Sequence, residues 1–367
     1  MKAFVTVLAL GTLTACGGQA TSDVTSSAKA GGKDNKGMDV YTYDNVITGH
    51  TTEFHKLTAD YKKASSKPGT VERVDYTTTV YGEVSYEKHF NVYLPYGYNK
   101  NDTSKKYNVI YFQHGDKRSA DVICNTTEET EQKRMIDNIF DPAMGGIDPA
   151  IIVFPTLYNA YNETNADLSE AGDRNMTVTR DGKEIEVPAN LDQEYITDIL
   201  PLVESKYNTY TEDATTAEGL IAARNHRAFT GYSRGCIFTW KMFQKHYEYF
   251  QWWAPMSCMC YDATGSNFNP GSFSSGEEAW EKAYQGVKSA RDAFKAYPFF
   301  IYASVGNKND MPQMREEMNY WVNHKDSIFN FGTDPEENNF YFSVSKFEHS
   351  DIYLPYYYYN SLQVLFK

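Results

Sequence analysis

Short apolar runs alternate with amphipathic stretches along most of the chain. Runs of this length are typical of buried strands, and the stretches between them have the period of helices that cover a sheet. The predicted strands span residues 109–113, 151–154, 228–231, 252–256, 299–305 and 340–344. The predicted helices span residues 128–140, 194–207, 236–247, 315–326 and 356–366. This alternation predicts a mainly parallel central sheet with helices on both faces.

Two segments depart from this alternation. Residues 74–81 and 83–94 are rich in aromatic and β-branched side chains, which predicts an antiparallel hairpin at the edge of the sheet. The polar stretch 166–190 is interpreted as an insertion or a loop on the lid side of the sheet. Because no repeat or linker follows residue 40, residues 41–367 are predicted to form a single domain.

The first forty residues are predicted to be a targeting segment. An apolar run over residues 3–13 is shorter than the roughly 20 residues that a membrane-spanning helix needs. It ends in LTAC followed by Gly-Gly, which is typical of a bacterial lipobox with Cys16 as the lipidated residue. We therefore predict a lipoprotein signal peptide over residues 1–16 and a flexible tether over 17–40. The protein would be extracytoplasmic, held by acyl chains to a bacterial membrane or cell surface.

Composition excludes one class of partner and suggests another. The formal charge is −13, because 48 acidic residues outweigh 35 basic ones. Nucleic-acid binders need a basic face, so that class is excluded. The chain has 30 Tyr, 21 Phe and 5 Trp, together 15% of its residues. This content predicts heavily aromatic packing or surfaces that stack on rings and sugars.

The sequence GYSRG at residues 231–235 matches the nucleophile elbow, G-x-S-x-G. In that motif the serine lies on a strained strand-to-helix turn, and small flanking residues allow the turn to close and expose its Oγ atom. A predicted strand precedes the motif and a predicted amphipathic helix follows it. Ser233 is therefore the predicted nucleophile.

A carboxylate and a base follow Ser233 in the order that the elbow requires. Asp310 and His349 each lie on a loop just past a predicted strand, so they should meet Ser233 at one edge of the sheet. Apart from His114, the other histidines are poor candidates for the base. They precede the sheet core, lie on predicted helices or, for His226, lie before a strand rather than after it. Asp326 and Asp334 are the alternative acids.

Residues for an oxyanion hole follow the strand at 109–113. The backbone N–H of Arg234 is one predicted donor, and the N–H of Gly115 or Asp116 is the other. Side chains on loops or strand ends near the predicted mouth are candidate substrate contacts: His114, Tyr232, Tyr158, Tyr261 and Tyr353.

Four cysteines remain beyond Cys16, at positions 124, 236, 258 and 260. An exported protein can form disulfides, and a bridge from Cys236 to Cys258 or Cys260 is one alternative, with buried free thiols as the other. The last two cysteines are one residue apart, unlike the C-x-x-C of redox and zinc sites, and no histidine pair has metal spacing. We therefore predict neither a metal nor a cofactor.

Several motifs resemble one branch of hydrolases. The stretches NVYLPYGY at 91–98, HRAF at 226–229 and APMS at 254–257 are similar to esterase D-type α/β-hydrolases. The chain most resembles the carbohydrate esterase family 1 feruloyl and acetylxylan esterases of gut and rumen bacteria, over residues 68 to 367. The resemblance implies the α/β-hydrolase fold and a triad of the same residues, Ser233, Asp310 and His349.

Three short stretches depart from the family pattern. The sequence DKRS follows His114-Gly115 where the family is usually glycine-rich, and Arg234 replaces a common methionine in the elbow. At 257–260 the chain has SCMC where the family often has Ser-Gly-Asp. These changes lie at the predicted oxyanion loop and acyl pocket, so they bear on the substrate more than on the triad.

The sequence thus predicts a serine carboxylic-ester hydrolase that works through an acyl-enzyme on Ser233. Its predicted substrate is a feruloyl or acetyl group on plant cell-wall polysaccharide, such as xylan, or on its oligosaccharides. An acyltransferase or peptidase on the same fold and a non-catalytic glycan-binding lipoprotein are the alternatives. The intact triad order argues against the last. The oligomeric state is left open.

Overall fold

The structure is a computed structural model that describes residues 28–45, 49–80, 85–115, 118–121, 123–156, 177–180, 183–260, 276–307 and 310–367. In chain order the strands are β1 (Lys29–Lys33), β2 (Asp39–Asn45), β3 (His50–Lys56), β4 (Thr70–Thr78), β5 (Tyr86–Leu94), β6 (Val109–Gln113), β7 (Ile151–Pro155), β8 (Thr177–Arg180), β9 (Lys183–Glu186), β10 (Arg227–Tyr232), β11 (Trp252–Met256), β12 (Phe300–Val305) and β13 (Phe340–Val344). The α-helices are α1 (Glu131–Phe140), α2 (Val187–Glu194), α3 (Leu200–Lys206), α4 (Ala217–Ala222), α5 (Arg234–His246), α6 (Glu277–Ala293), α7 (Pro312–Val322) and α8 (Leu354–Leu362).

An eight-stranded sheet forms the centre of the described chain, in the order β13-β12-β11-β10-β6-β7-β5-β4. The six strands from β13 to β7 run parallel to one another. Strand β5 pairs antiparallel with β7, and β4 pairs antiparallel with β5 at the edge. The predicted parallel sheet and N-terminal hairpin are confirmed. The carboxyl ends of the parallel strands therefore lie along one edge, where α/β proteins place their sites.

Both faces of the sheet are covered, so the parallel strands are buried at every position except Tyr341 of β13. Along β6, Val109 and Tyr111 pack into one hydrophobic core, whereas Ile110 and Phe112 pack into the other. The first core includes residues of α5, α6 and α7, and the second includes residues of α1 and α8. No helix among the described residues has both the length and the apolar character to cross a membrane.

A small antiparallel sheet, β1-β2-β3, precedes the central sheet. Part of it lies where the sequence predicts a flexible tether. Residues 28–40 fall within the predicted tether, but they contain β1 and the start of β2, and Met38 is fully buried. The small sheet is anchored far along the chain, because the N–H of His55 donates to Asn360 Oδ1 at 2.7 Å. Asn360 Nδ2 in turn donates to the carbonyl of His55 at 2.8 Å. The predicted signal peptide and Cys16 lie outside the described residues.

The polar stretch predicted as a loop is partly regular. Strands β8 and β9 form an antiparallel pair, and α2 begins at Val187, within the stretch 166–190. The predicted helix at 194–207 is divided by a π-helical turn, Tyr195–Ile199, that joins α2 to α3. Pro201 lies in the first turn of α3, directly after this π-helical turn.

A buried ion pair fixes the start of β10, the strand that leads into the elbow. Arg227 Nε donates to Glu204 Oε1 at 2.7 Å, and each side chain is 1% exposed. Arg227 Nη1 also donates to the carbonyl of Tyr249 at 2.9 Å. The hydroxyl of Tyr111 donates to Glu204 Oε1 at 3.0 Å. Removing one partner of such a pair leaves the other charge buried and uncompensated.

We predict that Glu204→Gln lowers the free energy of unfolding by about 3–5 kcal/mol, the usual effect of breaking a buried pair. The measurement is urea denaturation followed by circular dichroism. The exposed Glu212 provides the matched control, since Glu212→Gln should change the free energy of unfolding by less than about 0.5 kcal/mol. Equal stability of the two variants would contradict the assignment of Arg227–Glu204 as a structural anchor.

Candidate active site

The elbow forms between β10 and α5 because two glycines allow its main chain to pass close to its neighbours. A Cβ atom at Gly231 would lie 2.1 Å from the carbonyl oxygen of Gly235. A Cβ atom at Gly235 would lie 1.9 Å from the carbonyl oxygen of Gln113 on β6. Ser233, between them, has a φ of 58°, the strained conformation expected of the nucleophile in this motif. Its N–H donates to the carbonyl of Met256 on β11 at 3.0 Å.

The structure brings together Ser233, His349 and Asp310, the three predicted catalytic residues. His349 Nε2 lies 2.8 Å from Ser233 Oγ, and His349 Nδ1 lies 2.5 Å from Asp310 Oδ1. Asp310 is buried, whereas 29% of the His349 side chain is exposed. With Asp310 ionised, Nδ1–H donates to the carboxylate and Nε2 is left to accept the proton of the Ser233 hydroxyl. The alternative acids, Asp326 and Asp334, lie between α7 and β13.

Two donors hold the second oxygen of Asp310. Ser257 Oγ donates to Asp310 Oδ2 at 2.7 Å, and the N–H of Gly306 donates to the same atom. The residue is thus fixed from the ends of β11 and β12, as well as by His349. Sequence reasoning missed Ser257, although it lies in the stretch SCMC that departs from the family pattern.

Aromatic side chains support the loop that carries His349. Phe347 is buried, and the ring of Tyr353 stacks on it with a centroid distance of 4.2 Å and an interplanar angle of 1°. Tyr41 of β2 and Phe54 of β3 meet Phe347 edge-on, at 6.0 Å and 5.8 Å. The small N-terminal sheet is therefore part of the support for the catalytic histidine loop.

Two of the described candidates for substrate contact, Tyr232 and Tyr353, pack against His349 or its loop. Tyr232 is 3% exposed, and its ring lies 5.1 Å from the His349 ring. Burial, with the nearby charge of Asp310, raises the pKa of the Tyr232 hydroxyl. Tyr353 presents one ring face to Phe347, as described above. Tyr232 thus packs beside the histidine, and contact of Tyr353 with a substrate stays a prediction. Tyr158 and Tyr261 lie outside the described residues.

The oxyanion candidates lie beside the nucleophile. A Cβ atom at Gly115 would lie 3.2 Å from Ser233 Cβ and 3.8 Å from Ser233 Oγ, so this main chain passes directly over the elbow. Arg234 is the first residue of α5, where backbone N–H groups and the helix dipole favour negative charge. His114 is buried, and its Nδ1 bonds to the Gly115 carbonyl at 2.7 Å, which suits a role in shaping this loop. Asp116 lies outside the described residues.

An ion pair joins the oxyanion loop to the histidine loop. Arg118 donates to both carboxylate oxygens of Asp351, with Nε–Oδ2 at 2.5 Å and Nη2–Oδ1 at 3.2 Å. Arg118 belongs to the stretch DKRS that departs from the glycine-rich family pattern, and Asp351 follows His349 by two residues. Bidentate geometry fixes direction as well as distance, so the pair connects the two sides of the site.

The four described cysteines are buried free thiols. The sequence left open either a disulfide or free thiols, and the structure has free thiols. Cys236 Sγ donates to the carbonyl of Cys258 at 3.0 Å. Burial raises the pKa of Cys258 to about 12 and that of Cys236 well above its ordinary value. Because the thiolate is the nucleophilic form, neither cysteine competes with Ser233 at neutral pH.

A buried acid lies near the end of β11. Glu317 on α7 is buried and accepts the N–H of Cys260 at 2.8 Å. Burial raises the pKa of this carboxyl well above its ordinary value. Within the described ranges, no group of three or more His, Cys, Asp or Glu side chains is placed to hold a metal ion.

Comparison with known proteins identifies the family of this chain. The model of the Esterase family, described as putative esterase, matches residues 83–329. The chain belongs to this family. A curated relative, endo-1,4-beta-xylanase Y of Acetivibrio thermocellus, is 29% identical over 270 residues, which are 72% of this chain and 20% of the relative. The chain therefore spans about a fifth of the length of that relative.

Solved structures agree with the family assignment of this esterase. A structure of FAE is 25% identical, with a TM-score of 0.63, and the match covers 84% of this chain and 92% of that one. The feruloyl esterase module from Clostridium thermocellum, complexed with sinapinate, is 24% identical with a TM-score of 0.63 and coverages of 85% and 93%. The CE1 ferulic acid esterase of Anaeromyces mucronatus shares the fold at 19% identity, with a TM-score of 0.54 and coverages of 84% and 96%. The resemblance found in the sequence is confirmed, and the chain is a member of the Esterase family with the α/β-hydrolase fold.

Proposed function

We propose that this esterase removes feruloyl or acetyl groups from plant cell-wall polysaccharide, such as xylan, through an acyl-enzyme on Ser233. The observation that carries the proposal is the continuous chain of hydrogen bonds from Ser233 through His349 to Asp310. The substrate class is supported by relatives named as a xylanase and as feruloyl esterases. We favour the aromatic acyl group, because structural neighbours are named as feruloyl esterases.

Acylation begins when Ser233 Oγ attacks the ester carbonyl carbon. His349 Nε2 takes the Oγ proton as the new C–O bond forms, and the Asp310 carboxylate stabilises the resulting imidazolium. The carbonyl oxygen becomes an oxyanion that accepts the N–H of Arg234 and that of Gly115 or Asp116. Each such donor contributes about 3–4 kcal/mol where it has been measured. The bond to the sugar oxygen then breaks, His349 returns its proton to that oxygen, and the acyl group stays on Ser233.

Deacylation repeats these steps with water. His349 takes a proton from the water molecule as its oxygen attacks the acyl carbon, and the same donors hold the oxyanion. The bond to Ser233 Oγ then breaks, the free acid leaves, and His349 returns the proton to Oγ. If a sugar hydroxyl replaces water in this half of the cycle, the same residues perform acyl transfer.

We predict that a fluorophosphonate probe labels the wild-type protein and that methyl ferulate and aryl acetates are hydrolysed. Ser233→Ala should abolish labelling and lower kcat/KM at least about 10⁴-fold, because the nucleophile is lost. The exposed Ser205 of α3 supplies the control, since Ser205→Ala should leave both readouts unchanged. The ratio of kcat/KM for ferulate to that for acetate identifies the acyl group.

Absence of labelling and of ester turnover in the wild-type protein would overturn the proposal in favour of a non-catalytic glycan-binding role. Cleavage of peptides without ester turnover would favour a peptidase. Acyl transfer to added xylo-oligosaccharide that outpaces hydrolysis would favour an acyltransferase. Each result uses the same purified chain, so the three alternatives are separated in one set of assays.

We further propose that the esterase is exported and anchored through lipidated Cys16, on the evidence of the lipobox in the sequence. When the full-length chain is expressed in bacteria with an alkyne fatty acid, wild type should take up the label and sediment with membranes. Cys16→Ala should abolish both, because the acylated residue is lost, whereas the buried Cys124→Ala should not. Label retained in Cys16→Ala would refute the lipobox assignment.

A further inference from the structure

Ser257 is the second strained residue along the edge of the sheet that carries the triad. Its φ is 59°, in the left-handed region that glycine adopts freely and other residues avoid. Within the described chain only Ser233, Ser257 and Phe366 combine a side chain with such a φ. Ser233 owes its conformation to the elbow, but Ser257 follows the neighbouring strand β11, outside that motif. Its strain needs an explanation of its own.

The Ser257 side chain ends on the triad carboxylate. Its Oγ donates to Asp310 Oδ2 at 2.7 Å, and the whole residue is buried. Its main chain is fixed separately, since the N–H donates to the carbonyl of Ser304 on β12 at 2.8 Å. Only the hydroxyl group of Ser257 makes the hydrogen bond to Asp310. A residue without a hydroxyl would lose this bond and keep the main-chain hydrogen bond to Ser304.

The two oxygens of Asp310 are held by different groups. Oδ1 meets His349 Nδ1, while Oδ2 accepts from Ser257 and from the N–H of Gly306. A carboxylate held through one oxygen can rotate about its Cβ–Cγ bond, whereas one held through both cannot rotate without breaking bonds at each end. The donors on Oδ2 thus decide the direction in which Oδ1 points at the imidazole.

We infer that Ser257 is a positioning residue for ester hydrolysis, whose hydroxyl orients Asp310 so that Asp310 in turn orients His349. The inference rests on the proposed function, because it concerns the same triad. Glycine would fit the main chain at this position without strain but has no side-chain donor. Serine supplies the donor despite the strain, which is the pattern expected where strain persists for a functional reason.

Two variants separate the hydroxyl from the main-chain strain. Ser257→Ala removes the donor and keeps the strain, whereas Ser257→Gly removes both. Both variants should lower kcat on aryl acetates by about 10-fold to 100-fold, because a misaligned triad slows the chemical steps. KM should change less than about twofold, because the residue makes no contact in the binding step. The thermal midpoint of Ser257→Gly should exceed that of Ser257→Ala, since glycine tolerates the positive φ.

If Ser257 had a merely structural role, kcat would fall further in the less stable variant. An equal loss of kcat in two variants of different stability would therefore indicate a positioning role. Ser304→Ala is the matched control, because Ser304 Oγ is buried on the adjoining strand and has no hydrogen-bond partner among the described residues. That variant should keep the wild-type kcat.

Wild-type kcat in Ser257→Gly would overturn the inference and leave the proposed function standing, because the wild-type enzyme would still be active in the same assay. A kcat that follows the thermal midpoint across the variants would also overturn it. A wild-type protein that neither reacts with the fluorophosphonate probe nor hydrolyses esters would overturn the proposed function, and the inference with it.

Discussion

The site depends on one chain of hydrogen bonds, in which Asp310 holds the imidazole of His349 and His349 meets the hydroxyl of Ser233. The three residues follow three different strands, and 116 positions separate Ser233 from His349. The two hydrogen bonds in this chain are 2.8 Å and 2.5 Å long. The parallel sheet must therefore place the ends of these strands relative to one another with a precision of a fraction of an ångström. The buried strands and the covering helices provide that rigidity, since packed cores do not deform continuously.

Each member of the triad is held by a different physical device. Ser233 is fixed by main-chain geometry, because the glycines on either side allow contacts that no side chain would permit. Asp310 is fixed by hydrogen bonds to both carboxylate oxygens. His349 is fixed by its loop, which is packed through Phe347 against rings from the small N-terminal sheet and α8. The aromatic excess of the composition serves packing at these described positions, as the Phe347 contacts illustrate.

The sequence was sufficient to predict the parallel sheet, the elbow and the three residues that the structure brings together, because each of these depends on local patterns and their order. Longer-range features were beyond it. Residues 28–40 have too few apolar side chains to indicate a strand. The small sheet that they help to form is anchored through His55 to Asn360, 305 positions away. Ser257 was missed because its hydrogen bond reaches Asp310, 53 positions along the chain, and no local pattern records such a contact. The family match ends at residue 329, so the placement of His349 rests on the geometry described above.

The most direct test of the account is to trap the covalent intermediate. Wild-type protein mixed with an excess of aryl ferulate and quenched in acid should carry one feruloyl group, found by intact mass spectrometry, on the peptide that contains Ser233. The group should accumulate when deacylation is the slower step and should disappear on incubation in substrate-free buffer, because water completes the cycle. Ester turnover with the acyl group on another residue, or undiminished turnover in Ser233→Ala, would contradict the account.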